Sequence, residues 1–172
     1  MQQIWTFVKK MTLRQWGLSF ALLSALILAA AFISQYGFGM QPCKLCLYQR
    51  WPYGLAIVLG GVLFFKSQDR LIAHILLALL AAVFLFNAGL AFFHVGVEYH
   101  WWTFSSDCTA TAIKPHASVD ALLQALRAAP VVRCDERHPF LFGMTMAFYN
   151  VLICLGLAGL VGLIWYRDQR SS

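Results

Sequence analysis

Positions 71–97 read LIAHILLALLAAVFLFNAGLAFFHVGV. The stretch holds no Asp, Glu, Lys or Arg, and only His74, Asn87 and His94 interrupt it with strongly polar groups. A helix needs about 20 mainly apolar residues to cross a bilayer core. This run is long enough, and a helix apolar on every side belongs inside protein or lipid. Working outward, three more runs read as spans: 16–34, 47–65 and 140–166. The first carries no charge and, as far as Ile33, only Ser19 and Ser24 as hydroxyls. The second has Arg50 near its start and Pro52 in its early turns, where proline is tolerated because helix-entry amides lack intrahelical partners. The last contains Asn150 and Cys154. The expected fold is all-α: an integral membrane four-helix bundle, one domain over 1–172, with outward loops 35–46 and 98–139.

Composition agrees with that reading. Of the 172 residues, 60% are hydrophobic and 12% charged, against about 25% charged in soluble domains. Mean hydropathy is +0.68. Disorder needs low hydrophobicity, and 12 Gly with 5 Pro exclude a collagen-like chain. The net charge of +6 does not point to nucleic acid, because the basic residues are scattered and form no phosphate-neutralising stripe.

Basic residues in membrane proteins set topology. Lys9, Lys10, Arg14, Lys66, Arg70, Arg167 and Arg170 crowd the short segments 1–15, 66–70 and 167–172, whereas Lys44, Arg50, Lys114, Arg127, Arg133 and Arg137 are spread thinly over the long ones. Both termini are therefore expected in the cytoplasm. Lys9, Lys10 and Arg14 before an apolar run ending in Ala29-Ala30-Ala31 also suit a cleaved leader. The run exceeds the usual signal core of about 7–15 residues, so a retained span is expected. Within the second loop, Val119, Leu122, Leu123 and Leu126 share one helical face opposite Asp120, Gln124 and Arg127, between Pro115 and Pro130 with Ser118 as cap. This reads as a short amphipathic helix on the membrane surface or packed on the loop.

Four of the five cysteines fall on the outward side: Cys43, Cys46, Cys108 and Cys134. Disulfides persist in oxidising compartments outside the cytoplasm, and two loops with two cysteines each read as two disulfides. Pro42-Cys43-Lys44-Leu45-Cys46 opens the second span. A Cys-x-x-Cys at a helix N-terminus favours the thiolate and reads as redox-active. No His follows Cys46, which argues against c-type haem attachment. Arg50 shares the 43/46 face at helical spacing, and an ionisable residue at membrane depth is a functional candidate. Closing the Cys108–Cys134 loop of about 25 residues is worth roughly 3–4 kcal/mol, so that pair suits a staple or an exchanging disulfide. A zinc site is the other reading of clustered cysteines, with His94, His100, His116 or His138 as further ligands, but a second Cys-x-x-Cys is absent. No metal is expected. His74 and His94 stand about 30 Å apart along one helix, too far to clamp a haem.

Pro42-Cys43-x-Leu45-Cys46-x-Tyr48-Gln49-Arg50 resembles the signature of the bacterial disulfide bond formation protein B (DsbB) family. His94-Val95-Gly96-Val97-Glu98 followed by Trp101-Trp102, then Cys108, Cys134, and Phe142-Gly143-Met144 through Tyr149-Asn150, are similar too. The resemblance implies a quinone-dependent thiol oxidase in a bacterial inner membrane. Such a protein reoxidises a periplasmic thioredoxin-like dithiol oxidase (DsbA-like) and passes two electrons to ubiquinone or menaquinone. It implies that Cys108 takes the attack of the partner's thiolate. Cys134 then exchanges with Cys43, Cys46 faces the quinone, and Arg50 polarises it. His94 and Glu98 are implied as quinone-site residues. Trp101 and Trp102 read as interfacial anchors, Cys154 as a small buried apolar residue, and Ala158-x-x-x-Gly162 as a close helix contact. The expected partners are the dithiol oxidase and membrane lipid, with no nucleic acid. Alternatives are a vitamin K epoxide reductase-like enzyme, a scaffold with structural disulfides, or a metal-binding membrane protein. The early position of the Cys-x-x-Cys favours the DsbB resemblance over the first.

Overall fold

The structure is a computed structural model that describes residues 11–104, 120, 134 and 143–170. Cys108 and nearly all of the expected amphipathic segment around 119–127 lie outside the described residues. The described elements are four helices: α1 (Leu13–Tyr36), α2 (Lys44–Lys66), α3 (Arg70–Glu98) and α4 (Met146–Arg170). Among the described residues the fold is all-helical.

Each start has a local cause. Thr12 caps α1, its hydroxyl accepting from the Gln15 N–H while Gln15 Oε1 accepts from the Thr12 N–H. This is the reciprocal pairing that satisfies two amides with no intrahelical partner. Asp69 caps α3 by accepting from the Leu71 and Ile72 N–H groups. The fourth helix begins at Met146. Thr145 Oγ1 accepts from the Phe148 N–H and sets the entry there.

Helix α3 ends in a left-handed turn. His100 has φ 59°, the His100 N–H donates to Val97 O and the Trp101 N–H donates to Gly96 O. This is the Schellman pattern with histidine in place of the usual glycine. The turn folds Trp102 back onto α3, where its Nε1–H donates to Phe93 O at 2.8 Å and its ring stacks on Phe93. Gly96 makes room, since a Cβ there would fall 2.0 Å from the Trp102 ring. Trp101 is exposed as an interfacial anchor would be, whereas Trp102 is a packed residue.

Neighbours in sequence pack as neighbours in space: α1 on α2, α2 on α3, α3 on α4. Phe20, Leu63, Leu77, Phe84, Val161 and Ile164 anchor one buried core. The outward faces remain apolar, with Leu26, Phe65 and Phe86 at 66%, 78% and 68% exposure, the pattern of lipid-facing helices. Helices α1 and α2 approach closely at two glycines. A Cβ on Gly17 would lie 2.8 Å from Gly60 O, and one on Gly60 would lie 2.7 Å from Gly17 O. The expected contact at Ala158 and Gly162 is not of this kind, because Gly162 faces open space while Ala158 is buried.

Helices α1, α3 and α4 are long and apolar enough to cross a membrane, with mean hydropathy of 2.2, 2.5 and 2.2. Helix α2 has comparable length, 23 residues, but Gln49, Arg50 and Pro52 make its first turns polar.

Candidate redox site

The site forms where α2 begins and α3 ends. Cys43 is the N-cap of α2, with extended backbone, and its Sγ accepts from the Cys46 N–H at 3.3 Å. Cys46 sits one turn into the helix, and the two sulfurs lie 3.0 Å apart as thiols. Cys43 is buried and Cys46 half-buried. Both precede the apolar run that starts at Leu47.

The pair divides its protons unequally. Cys43 donates to Cys46, and that bond, with burial, pushes the Cys43 thiol up to about 12, opposed by His94. The same bond holds the Cys46 thiol below its ordinary value, against burial. Cys46 is thus the first of the pair to lose its proton, consistent with the pull of a helix N-terminus.

His94 comes from the last turns of α3, with Nε2 3.6 Å from Cys43 Sγ and 3.8 Å from Glu98 Oε1. Glu98, also buried, accepts from Thr145 Oγ1 at 2.6 Å, which ties the start of α4 to the end of α3. Cys134 is buried in one small cluster with Cys43, Leu45 and Val97. Five of the seven expected site residues, Cys43, Cys46, Cys134, His94 and Glu98, therefore converge, and Cys108 lies outside the described residues. Arg50 turns toward α1. Its guanidinium donates to Gln35 Oε1 at 2.6 Å and sits 5.0 Å from the Phe32 ring centroid, a cation–π distance.

Sequence reasoning missed a polar network behind His94. Gln49 Nε2 meets His94 Nδ1 at 3.0 Å, and Asn150 Nδ2 donates to Gln49 Oε1 at 2.6 Å. The Tyr53 hydroxyl donates to Asn150 Oδ1. Cys154, expected as a plain apolar filler, is fully buried but polar in its contacts. Its Sγ lies 3.2 Å from the Tyr53 hydroxyl and 3.4 Å from Asn87 Nδ2. Polar residues inside apolar runs were the available signal, because a buried amide needs partners.

The model of the family "Disulfide bond formation protein DsbB" matches residues 13–164. An uncharacterized protein of Rickettsia prowazekii (strain Madrid E) is 26% identical over 167 residues, which cover 96% of this chain and 95% of that protein. The "Disulfide bond formation protein B" of Herminiimonas arsenicoxydans is 35% identical over 80 residues, 46% of this chain and 49% of that one. A match along nearly all of the helical framework, with a paired-cysteine site at its centre, settles membership: the chain belongs to the DsbB family and is a membrane protein of disulfide bond formation.

Proposed function

We propose that the chain is a protein-dithiol:quinone oxidoreductase of a bacterial inner membrane, with four spans, one domain and both termini in the cytoplasm. The observation that carries the reading is the Cys43–Cys46 pair at a helix entrance, polarised so that Cys46 is the first to lose its proton, with Cys134 packed beside Cys43. Soluble thiols reach loop cysteines, and a membrane acceptor reaches only the bilayer edge. Two cysteine pairs, one on a loop and one at the entrance of a span, suit a two-electron transfer from soluble thiols to a membrane acceptor.

The exchanges balance as follows. A dithiol partner of thioredoxin-like type attacks Cys108 of a Cys108–Cys134 disulfide and releases Cys134. The Cys134 thiolate attacks Cys43 of a Cys43–Cys46 disulfide and releases Cys46 as thiolate. Attack by the partner's second thiol on its mixed disulfide frees Cys108, and Cys108 then displaces Cys43 from Cys134. The partner leaves oxidised, the loop disulfide is restored, and the electron pair rests on Cys43 and Cys46. A low-pKa thiol leaves fastest, which fits Cys46 as the group released first.

The quinone would supply a two-electron, two-proton acceptor. Residues of α1 and α2 near the helix entrance fit it: the Arg50 guanidinium, held over the Phe32 ring, and the exposed apolar and aromatic side chains of Phe32, Tyr36, Leu47 and Trp51. His94 lies within 4.8 Å of both sulfurs and Glu98 3.8 Å from His94, which suits the pair to act on the sulfur exchange and on a bound ring alike.

The test is quinone reduction by purified protein supplied with a reduced thioredoxin-like dithiol. Cys46→Ser and Cys108→Ser are each expected to abolish turnover. Wild-type turnover surviving Cys46→Ser would overturn the reading.

A further inference from the structure

Cys43 Sγ, Cys46 Sγ and His94 Nε2 lie within 4.8 Å of one another, a donor set that zinc accepts. The far side of the His94 ring decides whether this is a metal site. Imidazole ligates only through a bare nitrogen, so Nε2 must lose its proton and Nδ1 must carry one toward an acceptor. Gln49 instead presents its amide Nε2, a donor, to Nδ1 at 3.0 Å.

The orientation of Gln49 is set from further away. Its Oε1 is occupied by Asn150 Nδ2. Asn150 is turned that way because its own Oδ1 accepts from the Tyr53 hydroxyl and from Cys154 Sγ. The chain Tyr53 to Asn150 to Gln49 to His94 donates in one direction, and its residues come from α2, α4, α2 and α3. Burial makes reversal of any one link costly, since it would set donor against donor or acceptor against acceptor.

We propose that Tyr53, Asn150 and Gln49 are positioning residues that hold His94 as the neutral imidazole with its proton on Nε2, aimed at the Cys43 sulfur. The inference rests on the redox reading of the cysteine pair. In this tautomer the Nε2–H faces Cys43 Sγ and Glu98 Oε1. It stabilises charge on Cys43 when that sulfur is displaced from Cys134. It also leaves no lone pair for a thiophilic cation, so a set of donors that looks like a zinc site stays open for disulfide exchange.

The test is 15N NMR of histidine-labelled reduced protein in detergent, with His94 assigned by difference from His94→Asn. The expected wild-type signature is a pyridine-like Nδ1 and a pyrrole-like Nε2. Gln49→Glu offers Nδ1 an acceptor of the same shape and is expected to make Nδ1 pyrrole-like. Tyr53→Phe, which removes the first donor of the chain, is expected to give a mixture of the two tautomers. Cobalt(II) titration gives a second readout. Gln49→Glu is expected to bind the ion about 10–100-fold more tightly than wild type, the usual weight of a second ligand shell. A wild-type proton on Nδ1, a pattern unmoved in both variants, or equal cobalt affinities would each overturn the proposal. None of these measurements uses a partner or a quinone, so their failure and a failure of the turnover assay are separate results.

Discussion

The Cys43 and Cys46 sulfurs share one hydrogen bond, and it makes two chemically different thiols. A depressed thiol stays ionised as pH falls below the ordinary cysteine value of about 8.5, whereas Cys43, pushed up to about 12, stays protonated throughout that range. In reduced protein, iodoacetamide at pH 7 is therefore expected to label Cys46 well before Cys43, as read by peptide mass spectrometry. Equal labelling would show that the proton is shared evenly. Arg50 was legible from its spacing to the cysteines, but its setting was not. Gln35 and Phe32 hold it from a different helix, and no local pattern encodes that. Arg50→Ala is expected to lower quinone turnover more than partner exchange. Gln35→Ala is expected to do the same more weakly, with a steady-state comparison at varied quinone as the check. The bonds of Gln49 and Asn150 escaped for the same reason, because they join positions 45 and 101 residues apart.

At the scale of the elements, apolar runs located the helices well. The run 71–97 became Arg70–Glu98, since composition alone sets where a chain can leave water. Boundaries set by one hydroxyl, such as Thr145 ahead of Met146, escaped that logic. The small-residue contact was expected on α4 at Ala158 and Gly162 and is found between Gly17 of α1 and Gly60 of α2, because a glycine shows its face only once a neighbour is known. Gly60→Ala puts a methyl against the Gly17 carbonyl. It is expected to cost about 1–3 kcal/mol, the usual range for overpacking, measured by thermal unfolding in detergent. Gly96→Ala is expected to expel Trp102 from its seat on Phe93 and shift the tryptophan fluorescence.

At the scale of the molecule, polarity divides the two ends. The redox cluster occupies one. At the other, His74 meets Asp168 at 3.0 Å and the Arg167 guanidinium donates to Met11 O at 3.0 Å, among the basic segments that topology rules assign to the cytoplasm. A reporter fused after residue 172 is expected to read as cytoplasmic, and a periplasmic signal would invert the proposed orientation.

The turn at His100 and the bond from Thr145 to Glu98 have a joint consequence for kinetics. Both pin chain beside the cysteine pair: one where the long connection leaves α3, the other where it enters α4. Between those two anchors Cys134 is leashed, and it is buried in one cluster with Cys43. Tethering two groups on one chain replaces bulk concentration by an effective one that depends on the length of the tether. In the proposed exchange, transfer between the two cysteine pairs would be a first-order event, indifferent to dilution of the enzyme. Loosening either anchor would lengthen the leash and slow that internal step while leaving the chemistry of each sulfur intact.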